Sequence, residues 1–239
     1  MDVTGHGVLV TGSASGLGAA TVDELDALGA HVHGIDRRSD PSVDVTDPDG
    51  VAATVDAITD LRVLVCCAGI GGTGGMVVRR GEAHSLDAFE HTVRVNLVGT
   101  FNCVRLAAAA MSRLDPLPDG ARGVIVMTSS IAATDGVTGG VAYSASKAGV
   151  TGMTLPLARD LGGSGVRVVT IAPGPMDTSM AAGLPAAYAD QLIDDTAYPA
   201  RFGAPTEFAR LVAHIIENPM LNGDVIRLDG GLRMRAPDR

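Results

Sequence analysis

The chain has 239 residues, 46% of them hydrophobic, enough to bury a sizeable core within a single domain. A formal net charge of −9, no basic run longer than a pair, 3% aromatics and no tryptophan argue against a nucleic-acid surface, which needs cations for phosphates or rings for bases. No apolar stretch reaches the roughly 20 residues that span a bilayer, and MDVTGHGVLV shows no basic-then-apolar leader, so a soluble, cytoplasmic protein without a membrane partner is expected.

GVLVT (7–11) reads as a buried strand, followed by Gly12, Gly16 and Gly18 and by LGAATVDELDALG (17–29), whose apolar spacing is helical and which Gly29 ends. Strand, glycine turn and helix are the setting of a dinucleotide site. The glycines let the backbone approach a pyrophosphate, whose charge then meets the helix N-terminus. AHVHGID (30–36) is the second strand, and Asp36 at its end suits a carboxylate that accepts hydrogen bonds from ribose hydroxyls. That favours NAD over NADP, because a ribose phosphate beside Asp36 would be repelled. Arg37 and Arg38 are the competing feature, as phosphate receivers or as a solvated turn.

SVDVTD (42–47) reads as a short strand with Asp44 and Val45 near its end, and DPDGVAATVDAIT (47–59) as a helix capped by Thr46 or Asp47 with Pro48 in its first turn. LRVLVCCAG (61–69) is the next buried strand. Cys66 and Cys67 would point to opposite faces of it, so with Cys103 they read as reduced core thiols. The six histidines show no ligand spacing with a cysteine or carboxylate, and no metal is expected. Gly69, Gly71, Gly72, Gly74 and Gly75 then form a flexible stretch that leads to Arg79 and Arg80. SLDAFEHTVRVNLVGTFNCVRLAAAAMSRL (85–114) is one long helical pattern capped by Ser85. Asn96 falls in its middle, where asparagine is a poor helix former, as a functional residue or an exposed polar one.

GVIVMTSS (123–130) reads as a strand that delivers Ser130 at its carboxyl end. In VAYSASKAGVTGMTLPLARDLG (141–162) Tyr143 and Lys147 are four apart, on one face of a helix that Pro156 should kink. Such a trio suggests proton exchange with an alcohol or carbonyl oxygen. A phenol titrates near pH 10, so basicity near neutrality needs roughly 3 units of lowering, about 4 kcal/mol. An ammonium about 4 Å away at an effective dielectric near 20 supplies that much. Lys147 is also the sole lysine among 18 basic residues, which suggests a compact ammonium that a guanidinium cannot replace. GVRVVTIAPG (165–174) is a further strand. Residues 178–201 lack clear periodicity, as a substrate lid would; TEFARLVAHIIEN (206–218) is an amphipathic helix and GDVIRLDGG (223–231) the last strand. Strands alternating with helices predict an α/β fold: a single-domain, Rossmann-like, doubly wound parallel sheet flanked by helices.

These residues resemble the short-chain dehydrogenase/reductase family over essentially the whole chain. Thr11-Gly12-Ser13-Ala14-Ser15-Gly16-Leu17-Gly18 resembles the family's T-G-x-x-x-G-x-G turn, and Cys66-Cys67-Ala68-Gly69 its N-N-A-G motif. Asn96 matches the helix asparagine, Ser130 with Tyr143 and Lys147 the serine and Y-x-x-x-K, and Pro173-Gly174 with Thr178 the P-G-x-x-x-T. The resemblance implies Tyr143 as acid/base and Ser130 as the group orienting the substrate oxygen, so that both touch substrate. It also implies Lys147 on the nicotinamide ribose and lowering the Tyr143 pKa, and Asn96 holding a relay water. For the cofactor it implies Gly12, Ser15, Gly16, Leu17, Gly18, Asp36, Ala68, Pro173, Gly174 and Met176 as binding positions. Asp44 and Val45 would meet the adenine, Cys67 and Gly69 the adenosine ribose side, and Thr178 the carboxamide.

Within the family, VRVVTIAPG and IIENPMLNGDVIRLDGGLRM resemble the members that oxidise 3-hydroxyacyl-CoA. That implies an acyl-CoA substrate, with Arg79 and Arg80 near its phosphates, and a homotetramer that uses the helices of Asn96 and Tyr143 at one interface and the C-terminal strand at another. Two positions depart: Cys66 replaces an asparagine, and Gly140 stands where that subgroup has a glutamine facing the substrate. The alternatives are an NADPH-dependent 3-oxoacyl carrier-protein reductase, a dehydrogenase of steroids or other alcohols, and an idle nucleotide-binding subunit.

Overall fold

The computed structural model describes residues 1–72 and 75–235; Gly74 of the glycine-rich stretch lies outside the described residues. In chain order the elements are β1 (Gly7–Thr11), α1 (Gly16–Ala27), β2 (His31–Ile35), α2 (Pro48–Ala57) and β3 (Leu61–Cys66). A short hairpin of β4 (Val78–Arg79) and β5 (Glu82–Ala83) follows, then α3 (Leu86–Val93), a π-helical turn (Arg94–Gly99) and α4 (Thr100–Ser112). The chain continues through β6 (Gly123–Thr128), α5 (Ala132–Asp135), α6 (Val141–Gly162), β7 (Val166–Pro173), α7 (Ala186–Asp194), α8 (Pro205–Glu217) and β8 (Val225–Leu228).

Six strands form one parallel sheet in the order β2-β1-β3-β6-β7-β8. The order reverses between β1 and β3, and the carboxyl ends of strands at such a reversal leave a crevice for a ligand. Alternation along the strands decides which helix each residue meets. Leu9, Leu64, Cys66, Ile125 and Met127 join one core with Val51 and Val55 of α2, Val104, Ala107 and Met111 of α4, and Val150 of α6. Val8, Val10, Val63, Val65, Val124 and Val126 join the other, with Leu25 of α1 and Phe208, Val212 and Ile215 of α8. Cys66 belongs to the first core and Cys67 packs against the second, as opposite-facing neighbours should.

Four sequence expectations need correction or completion. SVDVTD is not a strand: Asp44 accepts hydrogen bonds from the Thr46 N–H and hydroxyl, both at 2.8 Å, and Asp47 caps α2 through the Asp49 N–H. Side chains that satisfy their own backbone in this way compete with a ladder. Residues 178–201 are not without periodic structure, since α7 lies among them and buries Leu192. The segment after β3 holds an unexpected hairpin whose turn, Arg80-Gly81, has φ of 54° and 84°, the backbone a two-residue turn needs. Finally α6 is helical through Pro156. The carbonyl of Gly152, which loses its partner to the proline, lies on an exposed residue where water can serve it.

Candidate active site

A cleft of about 840 Å³ opens at the carboxyl ends of β1, β2, β3, β6 and β7. Its wall includes Gly12, Ser15, Gly16, Leu17, Gly18, Asp36, Asp44, Val45, Cys67, Ala68 and Gly69, together with Ser130, Tyr143, Lys147, Pro173, Gly174, Met176 and Thr178. Of the residues expected from the sequence to be catalytic or to bind the cofactor, Asn96 is absent from that wall, and so are Arg79 and Arg80, expected near coenzyme A phosphates.

Main-chain geometry builds the part beside β1. Gly12 has φ 70°, and a Cβ on it would lie 2.7 Å from the Ala68 nitrogen; one on Gly18 would collide with the Gly12 carbonyl oxygen. Only glycine allows the turn to pack this closely on itself and on the chain leaving β3. Thr11 ties that chain down, its carbonyl accepting from the Cys67 N–H and its hydroxyl from the Ala68 N–H, both at 3.1 Å. These bonds hold the turn although Cys66 lacks the amide of an asparagine. At α1 the N-cap Ser15 makes no side-chain capping bond and the first turn carries no acidic residue, so its N–H groups are open to an anion.

Asp36 closes β2. It accepts from the Arg38 N–H at 2.8 Å, Arg38 Nε at 3.3 Å and the Ala14 N–H at 3.3 Å. Burial pushes its carboxyl up, and these hydrogen bonds with the Arg38 charge outweigh that, leaving it below the usual carboxylate value. Arg38 also donates from Nη2 to the Ser15 hydroxyl at 2.7 Å, so one guanidinium bridges the end of β2 and the start of α1.

Tyr143 and Lys147 project from the first turns of α6. Lys147 is almost wholly buried and donates from Nζ to the Thr128 carbonyl at 2.8 Å, with Nζ 5.8 Å from the centre of the Tyr143 ring. Burial holds its ammonium down to about 8. Tyr143 is half-buried, and burial raises its phenol above 10, opposed by hydrogen bonding from Ser130. The expected lowering of the phenol by Lys147 is therefore not seen. Both groups have left water, which disfavours each charge, and the Thr128 carbonyl already engages the ammonium. Burial also pushes Cys67 up to about 11 and Cys103 up to about 12, so these thiols stay protonated and are poor nucleophiles.

Asn96 sits in the π-helical turn and is completely buried, not exposed. Its Oδ1 accepts from the Ile70 N–H at 2.8 Å, and Nδ2 donates to the Ile70 carbonyl at 2.9 Å and to the Ser146 hydroxyl at 3.1 Å. Both amide hydrogens are thus engaged in clamping the loop after β3 against α6. Ile70 and Ser129, whose hydroxyl donates to the Lys147 carbonyl at 2.9 Å, are not among the site residues expected from the sequence. Ser129 had a signal, a second hydroxyl directly after an apolar strand; Ile70 had none. Gly140, the N-cap of α6, would bring a Cβ to 3.0 Å from the Cβ of Val137, so here Val137 fills space that a longer residue at 140 would need.

The sequence profile of the short chain dehydrogenase family matches residues 6–189. The chain belongs to that family. A 3-hydroxyacyl-CoA dehydrogenase type-2 of Drosophila melanogaster is 45% identical, with 95% of this chain and 96% of the relative aligned, and the protein of the same name from Homo sapiens is 42% identical over 98% and 97%. The crystal structure of 3-hydroxyacyl-CoA dehydrogenase type-2 from Mycobacterium avium superposes with a TM-score of 0.91 at 36% identity, covering 97% of each chain. As a short chain dehydrogenase the protein is an oxidoreductase, and family membership implies a nicotinamide cofactor. The residues present fit one: a glycine cradle that any Cβ would fill, a helix N-terminus open to phosphate, and a carboxylate at the end of β2.

Proposed function

We propose that the protein is an NAD-dependent dehydrogenase of secondary alcohols, and that 3-hydroxyacyl-CoA, converted to 3-oxoacyl-CoA, is its substrate class. The observation that carries the reaction is the convergence of Ser130, Tyr143 and Lys147 on one cleft that also holds the glycine turn and Asp36. The substrate class rests on the likeness to relatives named for it, at 45% and 42% identity over nearly the whole chain.

In this reading the bound cofactor accepts or returns the hydride. Ser130 holds the substrate oxygen and stabilises the charge that develops there. Tyr143, kept neutral by burial, gives its proton to a ketone oxygen in the reductive direction and takes it back from the alcohol in the oxidative one. Lys147 Nζ, 5.8 Å from the ring centre, supplies a positive charge beside the phenolate that the first task leaves and the second task consumes, although by itself it does not bring the phenol below its ordinary value. Asn96 acts as a positioning residue through Ile70, not as a side chain that touches the reacting atoms. Residues 178–201, with Tyr188 and Leu192 on the cleft wall, form the substrate lid.

Asp36 supports NAD, since a charged carboxylate at the end of β2 would repel a ribose phosphate, and we expect kcat/KM for NAD to exceed that for NADP by at least about tenfold. A preference for NADP would make Arg37 and Arg38 the phosphate readers and favour the carrier-protein reductase. In the hairpin Arg79 stands across from Glu82 and Arg80 occupies the turn, so Arg80 is the better placed cation for a coenzyme A phosphate. A homotetramer and a cytoplasmic location complete the proposal. Exposed Val98, Phe101 and Leu155 on the helical rods of Asn96 and α6 support the first, and light scattering that gave a monomer would contradict it.

A further inference from the structure

After β8 the chain turns at Gly230 and Gly231, with φ of 61° and 82°, and returns to the cleft, where Met234 forms part of the wall. Leu232 is fully buried in a third apolar cluster, separate from the two that cover the sheet. Its buried partners are Ile131, the residue after Ser130, and Leu192 of α7, with Tyr188, Phe202 and Met234 packed around them.

One guanidinium joins these parts. Arg227 donates from Nε to Asp229 at 2.7 Å, from Nη1 to Asp135 and to the Thr134 hydroxyl at 2.8 Å each, and from Nη2 to Asp135 at 3.0 Å and to the Leu232 carbonyl at 2.9 Å. All five of its N–H groups have acceptors. Asp135 ends α5, the short helix that follows Ser130, and its Oδ2 also accepts from the Met234 N–H at 3.2 Å. The Arg227 hydrogen bonds hold this carboxyl down to about 2, so it stays charged at any working pH. Arg235 pairs with Asp195 at the end of α7, a second tie between the chain end and the substrate side.

We infer that Arg227 is a positioning residue and Met234 a specificity-determining one: the guanidinium fixes the helix after Ser130 and the C-terminal turn as one body, and Met234 thereby limits the length of apolar chain the cleft admits. The inference rests on the reading of the cleft as a secondary-alcohol site. Leu184, Tyr188, Leu192 and Met234 line the same cleft as Ser130 and Tyr143, so an apolar chain running from a carbon held there towards α7 would meet them. A flexible thioether is suited to closing such a channel.

Two experiments test this on the full chain. The ratio of kcat/KM for long over short 2-alkanols, measured beside long and short 3-hydroxyacyl thioesters, should rise by at least about fivefold in Met234→Ala, as opening an apolar pocket does. An unchanged ratio in both series overturns the role of Met234. Turnover of 2-alkanols without turnover of thioesters sinks the acyl-CoA reading alone. For Arg227, hydrogen exchange in Arg227→Lys should quicken together at 131–136 and 231–235 while the amides of β1 and α1 keep their rates. The KM for the alcohol should rise at least about threefold, with NAD affinity retained. Asp135→Asn, which keeps the shape and loses the charge, should show the same coupled exchange and serves if the lysine variant does not fold. Exchange that quickens in only one of the two segments, or in neither, overturns the positioning role.

Discussion

The cleft wall beside β1 and β3 and the wall beside α5, α7 and the C-terminal turn are held by different forces. The first is closed by main-chain contacts: Gly12 against Ala68, Gly18 against Gly12, and Thr11 bonded to Cys67 and Ala68. The second is closed by ion pairs among Arg227, Asp135, Asp229, Arg235 and Asp195 around one small apolar cluster. Backbone contacts tolerate no added atom and depend little on solvent. Side-chain ties can be exchanged one at a time, so this is the wall where a common reaction can acquire a new substrate.

Changes at Lys147 and in the backbone-built wall should have the largest effects. Lys147→Arg keeps the charge, but a planar guanidinium does not fit the space among Gly69, Thr128 and Tyr143, where Nζ already lies 2.8 Å from a carbonyl. Turnover should fall at least about a hundredfold, about 2.7 kcal/mol in barrier. Retention of more than about a tenth of the activity would show that the site accepts any cation. Gly12→Ala adds one carbon in a left-handed turn and should cost about 2–4 kcal/mol of stability from strain and overpacking combined. Urea unfolding checks this, and a loss below about 1 kcal/mol would mean that the turn relaxes freely.

A middle-sized effect concerns the buried ammonium. Its folded pKa of about 8 lies below the unfolded value of 10.5, so between these values the unfolded chain binds more protons and stability rises with pH. Below about pH 8 the full cost of burying the charge is present. Lys147→Met, which removes that charge at the expense of one hydrogen bond, should therefore be inactive yet more stable by about 1–3 kcal/mol at pH 7. The gain should shrink as pH climbs from 8 towards 10.5. Equal stability of the two proteins at pH 7, or a gain that grows with pH, would contradict the assignment. The smallest effect is expected from salt: 1 M sodium chloride should quicken hydrogen exchange around α7 and the chain end, where Arg235 is exposed, and leave β1 and β3 unchanged. An equal response of both walls would remove the distinction between them.

The same contrast explains what could be read from the sequence. Alternating strands, the glycine turn, Asp36 and the Tyr143–Lys147 spacing are local patterns, and each lies where its spacing implies because the backbone period alone decides it. SVDVTD failed as a strand because Asp44 and Asp47 bond their own backbone, a competition that composition alone does not decide. The Arg80-Gly81 turn lacked the asparagine or aspartate that usually marks such hairpins. Asn96 was singled out by its poor fit to a helix, yet its partner Ile70 lies 26 residues away. Likewise the Arg227–Asp135 clamp spans 92 residues, and no local pattern announces it.

Following nicotinamide absorbance with a 3-hydroxyacyl-CoA substrate in the native protein and in Tyr143→Phe tests whether the Tyr143 proton governs hydride transfer to NAD. The phenyl ring keeps the packing of a half-buried side chain and removes only the hydroxyl. NAD-dependent turnover is expected of the native protein and a loss of about a thousandfold or more in the variant, with NAD still bound. Turnover within about tenfold of native in Tyr143→Phe would contradict that role of the Tyr143 proton.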